Sequence, residues 1–411
     1  MLFVGEVSMS IVVWEEAIME YDFKTLVDRT KMDSEKWNMM KAANPEVGEG
    51  VSPFSVADMD LMHPPEFVEA MKEYMDKVIL GYGMPGDGYY EAVMGWMERR
   101  HNWHIKKEWI VITPGIIPAI YNLVQMFTKK NEGVIVLTPV YYPFFSAIKS
   151  NGRQVVESPL NNSDGTYKID FDDLEKKAQD PNNKLILFCS PHNPVGRVWH
   201  EDEIKRVGEI CLENDVKIVS DEIHFDLIMP GNKHTVFASI SDEFRDNVVT
   251  CTAPSKSFNL AGMMTSNIIV PNENLRKGLK KQLDKNGLEV WSPLGFEACR
   301  ISYTKCESWL DQLIQHIDSN QKALRQYLQD NLPEVKLYPL EGTYLSWMDF
   351  NFLGMSNKDL EKFMTMDAHV FFDEGYIFGE TGSGFERMNI ACPTQNMIDA
   401  MERIKTALGN K

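Results

Sequence analysis

Five short runs rich in β-branched residues, in the middle of the chain, restrict most strongly what it can fold into. The runs span residues 133–137, 184–189, 216–220, 247–252 and 267–270. Each is typical of a buried strand, and the apolar spacing of residues 202–214, between the second and third runs, predicts a helix. Alternation of strands and helices predicts an α/β fold with a mostly parallel sheet covered by helices. Ligands of such sheets bind beyond the carboxyl ends of the strands.

Four of the five runs lead directly into a conspicuous motif. Tyr141 follows the first run, Asn193 the second, Asp221 the third and Lys256 the fourth. Because the carboxyl ends of parallel strands lie at the same edge of a sheet, we expect these side chains to meet there.

Lys256 and Asp221, thirty-five residues apart, indicate the chemistry of this edge. A lysine amine can form a Schiff base with an aldehyde cofactor, and a buried aspartate can keep a pyridinium nitrogen protonated. Considered singly, Asp221 could equally be a turn or helix-capping carboxylate. Together, the two residues predict a site for pyridoxal 5'-phosphate.

Further side chains would complete such a site. Asn193 would donate to the phenolic oxygen of the cofactor, although it could merely cap a turn. Tyr141 would place an aromatic face against the pyridine ring, although an aromatic residue after a strand is more often part of the core.

A phosphate site is predicted before the apolar helix of residues 119–127. The backbone amides of Ile116 and Ile117 would face the phosphate at the helix N-terminus, and Ser255 would add a hydroxyl. A simple glycine turn before a helix is the alternative.

Arg387 follows the glycine-rich run 379–384. It could be a surface residue, but a guanidinium group matches a substrate carboxylate in a two-point contact that lysine cannot reproduce. The glycine-rich run would be a mobile lead that lets a small domain close over the substrate and exclude water.

The length of 411 residues, with 44% apolar content, predicts two domains. We expect a non-core extension at 1–18, an N-terminal segment of the small domain at 19–65, a large cofactor-binding domain at 66–300 and a C-terminal small domain at 301–411. A long helical stretch after residue 295 would lead into the small domain. Strands at 338–350 and 370–372 and helices at 357–367 and 396–408 would form it.

Composition argues against several other functions. A net charge of −18 is unfavourable for nucleic-acid binding, and no run approaches the roughly 18 apolar residues that a membrane span needs. Six scattered cysteines are typical of reduced thiols in the cytoplasm, and residues 1–18 contain no basic residue of a secretory signal. His101 and His104 resemble a metal pair, but a solvated helix end is the stronger interpretation, so no metal site is expected.

Three strings carry a resemblance to a known family: Val56-Ala57-Asp58-Met59-Asp60, Ser220-Asp221-Glu222-Ile223-His224 with Asp226 after it, and Ser255-Lys256-Ser257-Phe258-Asn259-Leu260-Ala261-Gly262. From about Tyr21 to the C-terminus, the chain resembles the fold-type I pyridoxal-phosphate enzymes of the class I/II aminotransferase superfamily. Within them it is most similar to the cystathionine β-lyase group of the MalY/PatB type. The resemblance implies the aspartate-aminotransferase-like fold, with a mostly parallel seven-stranded sheet in the large domain and a smaller α+β domain.

The resemblance also implies roles for individual residues. Lys256 would be the lysine that binds the cofactor aldehyde, Asp221 the pyridinium partner, Asn193 the phenolate donor, Tyr141 the stacking ring and Arg387 the carboxylate clamp. His224 would also contact the cofactor, and Asp58 and Asn193 would contact the substrate. Tyr82 would reach the phosphate of a neighbouring subunit, which implies a homodimer with shared active sites.

Two departures from typical aminotransferases of the superfamily favour a lyase. His224 stands where they have tyrosine, and Met264 stands where they have a phosphate-binding arginine. The implied activity is α,β-elimination from a sulfur amino acid such as cystathionine, giving a thiol, pyruvate and ammonia. An aminotransferase with the same residues, or a regulatory protein that uses the fold to bind an effector or another protein, remain the alternatives.

Overall fold

The structure is a computed structural model that describes residues 20–289 and 292–409. The extension expected at residues 1–18 lies outside the described residues. Two sheets organise the described part of the chain, one large and mostly parallel, the other smaller and antiparallel.

The large sheet has seven strands in the spatial order β1-β7-β6-β5-β4-β2-β3. The strands are β1 (Ile110–Thr113), β2 (Gly133–Thr138), β3 (Gln154–Pro159), β4 (Asn183–Cys189), β5 (Lys217–Asp221), β6 (Val248–Thr252) and β7 (Ser266–Ile269). Strands β2 to β6 run parallel, whereas β7 is antiparallel to both β6 and β1. The mostly parallel α/β fold is therefore confirmed, and all five predicted runs are strands.

The continuous apolar runs arise because helices cover both faces of this sheet. In β2, Ile135 and Leu137 pack into one apolar cluster, whereas Val134 and Val136 pack into the cluster on the other face. A parallel strand buried on both faces needs apolar residues at successive positions rather than at alternate ones.

Fourteen α-helices are described. They are α1 (Glu35–Ala43), α2 (Pro65–Met75), α3 (Asp87–His101), α4 (Ile116–Phe127), α5 (Pro143–Ser150), α6 (Phe171–Ala178), α7 (Glu201–Glu213), α8 (Asp242–Asn247), α9 (Pro254–Ser257), α10 (Glu273–Lys285), α11 (Pro293–Lys305), α12 (Glu307–Asn331), α13 (Asn357–Lys362) and α14 (Thr394–Gly409). Among the described helices, none is both long and apolar enough to span a bilayer.

The smaller sheet has the order β10-β11-β9-β8, and all its strand pairs are antiparallel. Its strands are β8 (Lys336–Leu337), β9 (Leu345–Asp349), β10 (Asp373–Glu374) and β11 (Phe385–Asn389). The prediction of a strand at residues 370–372 was wrong, since strand β10 begins at Asp373. The predicted domain boundaries stay a prediction.

The run 379–384 leads directly into β11, and two of its glycines are closely packed. A Cβ atom at Gly382 would collide with the carbonyl oxygen of Gly375, and one at Gly384 would collide with the side chain of Asn351. Close packing thus explains Gly382 and Gly384, whereas Gly379 has a φ of 120°, which favours glycine. The interpretation as a mobile lead did not consider these causes.

Candidate active site

A cavity of about 180 Å³ lies where strands β4, β5 and β6 end. Its lining includes eight of the predicted site residues: Ile116, Ile117, Tyr141, Asn193, Asp221, His224, Ser255 and Lys256. The prediction that the motifs after four parallel strands meet at one edge is confirmed.

Lys256 lies on the single-turn helix α9, directly after β6. Its Nζ atom donates a hydrogen bond to the carbonyl oxygen of Ala57, 2.6 Å away. Burial, together with the positive charge of Arg387, lowers the pKa of Lys256 to about 8, although nearby carboxylates oppose the shift. A substantial fraction of this amine is therefore neutral near physiological pH, as a nucleophile or a proton acceptor requires.

Asp221 is the last residue of β5 and is buried. One carboxylate oxygen accepts a hydrogen bond from the backbone amide of Ile223 at 3.2 Å. Burial raises the pKa of Asp221 to about 7, and the neighbouring Glu222 adds to the rise. A cationic group in the cavity would favour the ionised carboxylate and so offset this cost of burial.

His224 extends the polar lining of the cavity. Its Nδ1 atom is buried and has no hydrogen-bond partner within the described residues. Burial lowers the pKa of His224 well below its usual value, and the positive charges of Lys256 and Arg387 act in the same direction. The imidazole is therefore neutral, with one ring nitrogen available to a ligand.

Arg387 lies at the centre of β11 and is 2% exposed. Its Nη1 donates to Asn193 Oδ1 at 2.9 Å, and its Nη2 forms an ion pair with Asp373 on the adjacent strand β10. Its Nε is buried without a hydrogen-bond partner within the described residues. The guanidinium group thus adjoins the cavity through Asn193 and is not a solvated surface group.

The N-terminus of α4 lies at the cavity wall. The helix begins at Ile116, three residues earlier than predicted, after Gly115 at φ 122°. A residue with a side chain rarely adopts this φ, so glycine is required there. Ile116, Ile117 and Ser255 line the cavity together, and Met264 also lines it. An anion would fit this combination of helix N-terminus and hydroxyl group.

Asp58 is not among the residues that line the cavity in the described part of the chain, but its neighbour Ala57 is. The carboxylate of Asp58 forms ion pairs with Arg29 and Lys36 at 2.9 and 3.1 Å. The carbonyl oxygen of Ala57 accepts from Lys256 and, at 2.8 Å, from the hydroxyl of Tyr344. The role predicted for Asp58 stays a prediction.

Tyr82 lies apart from this cavity. Its side chain is fully exposed, and it lines a second concave region with Pro293 and Arg300. Within one chain it does not reach the Lys256 cavity, so its predicted contact across subunits stays a prediction.

Sequence reasoning missed several residues around the site. Asp373 pairs with Arg387, Tyr344 bonds the Ala57 carbonyl, and Cys189 lines the cavity beside Asp221. No motif marks Asp373 or Tyr344, whereas Cys189 ends one of the predicted strands and could have been included for that reason.

The interpretation of His101 as part of a solvated helix end was wrong. Its side chain is 5% exposed, and Nε2 lies 2.7 Å from Asp226 Oδ1. His104 is exposed, as that interpretation expected.

The chain belongs to the class I and II aminotransferase family, whose model matches residues 49–404. This family membership agrees with the fold and with the arrangement of Lys256 and Asp221 at the strand ends.

Individual relatives and solved structures indicate a narrower class of protein than the family model does. The chain is 42% identical over 356 residues to the cystathionine β-lyase PatB of Bacillus subtilis, covering 87% of this chain and 92% of that protein. A crystal structure of cystalysin from Treponema denticola, which contains pyridoxal 5'-phosphate, superposes with a TM-score of 0.94 at 49% identity, covering 95% of this chain and all of the other. The pyridoxal-phosphate-bound C-S lyase of Staphylococcus hominis has a TM-score of 0.87 at 35% identity, covering 95% and 98%.

Proposed function

We propose that this protein is a pyridoxal-phosphate-dependent carbon–sulfur β-lyase. It cleaves L-cystathionine or a related cysteine S-conjugate by α,β-elimination, giving a thiol, pyruvate and ammonia. The observation that carries this proposal is the meeting of Lys256 and Asp221 in one cavity, in a chain whose relatives include a cystathionine β-lyase and a C-S lyase.

The residues of the cavity fit this cofactor. A buried acid with a raised pKa is present for a cationic ring nitrogen, and a helix N-terminus with Ser255 is present for a phosphate. The unpartnered Nδ1 of His224 offers a further polar contact. When bound, pyridoxal phosphate supplies an electron sink for the carbanion that forms at Cα of an amino acid.

Asp221 would hold a proton at the ring nitrogen, and Tyr141 would pack against the ring. Because the Oδ1 of Asn193 accepts from Arg387, its Nδ2 is the group that would donate to the phenolic oxygen. Ile116, Ile117 and Ser255 would bind the phosphate.

Arg387 binds the substrate carboxylate, and its buried, unpartnered Nε is a donor for that contact. Lys256 then removes the proton from Cα, a task for which a pKa of about 8 is suited near neutral pH. The electron pair left at Cα forms a double bond to Cβ, and the sulfur leaves with the electrons of the Cβ–S bond and takes up a proton to become the thiol. The aminoacrylate product reacts with water to give pyruvate and ammonia.

A homodimer is part of the proposal. Ile79, Leu80, Tyr82 and Met84 form an exposed apolar segment, which a second copy of the chain would cover. Tyr82 would then reach the phosphate of the neighbouring subunit. A cytoplasmic location is proposed because all six cysteines are free and buried.

Pyruvate release from L-cystathionine tests the function. The purified protein loaded with pyridoxal phosphate should form pyruvate and homocysteine in equal amounts, and the Lys256→Ala variant should form almost none. Lys358→Ala, which removes an exposed lysine, serves as the matched control and should retain full activity. Formation of a second amino acid from a supplied 2-oxo acid, without net ammonia, would instead establish an aminotransferase.

A further inference from the structure

Asp226 is a buried carboxylate beneath the turn that carries Lys256. It lies five residues after Asp221, and its side chain is 0% exposed. Among the residues that the structure describes, three side chains donate hydrogen bonds to it: Ser257 Oγ at 2.5 Å, His101 Nε2 at 2.7 Å and Trp96 Nε1 at 3.1 Å. A buried carboxylate is costly unless donors surround it, and these three donors offset that cost.

Ser257 connects this carboxylate to the proposed reacting amine. It adjoins Lys256 on α9, which is only four residues long. A single helical turn is unstable by itself, so side-chain contacts must hold its orientation. Adjacent residues of a helix point in different directions. The Lys256 side chain accordingly extends into the cavity, while the Ser257 hydroxyl extends into the core toward Asp226.

The donors on the other side of Asp226 belong to a longer element. Trp96 and His101 both lie on the fifteen-residue helix α3. The ring of His101 stacks on Phe225 with centroids 4.2 Å apart, and the ring of Trp96 stacks on Tyr303 at 4.7 Å. Asp226 is therefore fixed by two packed aromatic side chains of a long helix. Its hydrogen bond with Ser257 in turn restrains the short helix α9.

We propose that Asp226 is a positioning residue for Lys256: through the Ser257 hydroxyl it fixes the turn that directs the lysine amine into the cavity. Trp96 and His101 hold Asp226 in place for this task. The inference rests on the proposed function, since Lys256 must be the reacting amine. Burial lowers the pKa of His101, so a neutral ring donates a single N–H to the carboxylate.

The decisive variant is Ser257→Ala, because it removes the connecting hydroxyl and leaves Asp226 with its two other donors. Ser302→Ala is the matched control: it removes an equally buried hydroxyl that donates to the carbonyl oxygen of Ala298 in its own helix. Ser257→Thr keeps a hydroxyl and tests rescue. Asp226→Asn keeps the shape and alters the hydrogen bonding.

The readouts are kcat and KM for β-elimination and the midpoint of the pH titration of cofactor absorbance in the holoenzyme. We expect Ser257→Ala to lower kcat by about tenfold to a hundredfold, the scale of a misplaced reacting group, and to shift the absorbance midpoint, with KM little changed. Ser257→Thr should recover part of both effects, Asp226→Asn should reproduce them, and Ser302→Ala should show neither.

If Ser257→Ala matches Ser302→Ala in kcat and in the absorbance midpoint, the positioning role is overturned, whatever happens to thermal stability. A failure of the proposed function gives a different result. In that case, the wild-type holoenzyme would release no pyruvate from L-cystathionine, or borohydride reduction would not leave the cofactor attached to Lys256.

Discussion

Replacing Asp221 with asparagine should make the stability of the cofactor-free protein depend less on pH. Burial raises the pKa of Asp221 from 3.8 to about 7 in the folded protein. The folded state therefore holds one proton more than the unfolded state between about pH 4 and pH 7, and stability falls as pH rises through this window. Each pKa unit corresponds to about 1.4 kcal/mol, so Asp221 costs on the order of 4 kcal/mol above pH 7.

Denaturant unfolding of both proteins, stripped of cofactor, measures this effect. The free energy of unfolding of Asp221→Asn minus that of the wild type should increase by about 3 kcal/mol from pH 5 to pH 8, because groups common to both proteins cancel in the difference. Added pyridoxal phosphate should then stabilise the wild type more than the variant, since only the aspartate can pair with a cationic ring nitrogen. A difference that is constant with pH would refute the argument that Asp221 is ionised at a cost.

Two further predictions concern Arg387. Arg387→Lys should raise KM by about tenfold to a hundredfold, because lysine loses a charge-assisted hydrogen bond to the substrate worth about 1.5–3 kcal/mol. The free energy of unfolding should change less than this, since lysine keeps a positive charge near Asp373. Steady-state kinetics measures KM, and an unchanged KM would contradict the prediction. Asp373→Ala should lower the free energy of unfolding by about 3–5 kcal/mol, since it leaves the buried guanidinium group of Arg387 without its ion-pair partner. Chemical denaturation measures this loss, and a loss below about 1 kcal/mol would contradict the prediction.

The large sheet could be predicted where burial on both faces leaves a continuous apolar run. Strand β3 was missed because it lies at the sheet edge, and its sequence contains the exposed residues Gln154 and Glu157. Strand β11 was missed for a different reason. Glu386 and Arg387 interrupt its apolar pattern, yet both are buried, Arg387 because Asp373 on the adjacent strand compensates its charge.

The site could be predicted where its residues lie at or just beyond the carboxyl ends of parallel strands, as Asn193, Asp221 and Lys256 do. Contacts between segments that are distant in the sequence could not be predicted. The carbonyl oxygen of Ala57 meets Lys256 across 199 residues of sequence, and it meets Tyr344 across 287. Those contacts depend on how the N-terminal segment lies against the large and small sheets, which local sequence patterns do not encode.

Burial brings the pKa values of Asp221 and Lys256 closer together. The same loss of solvation raises the pKa of Asp221 and lowers the pKa of Lys256. Near neutral pH, each group can therefore change its protonation state at small cost. A cationic ring nitrogen near Asp221 would return its carboxylate to the ionised form, and condensation with an aldehyde would use the neutral form of Lys256. Cofactor binding thus offsets the free-energy cost of burying the Asp221 carboxylate, and it uses the neutral form of the Lys256 amine that burial favours. This explains how one cavity can contain both groups.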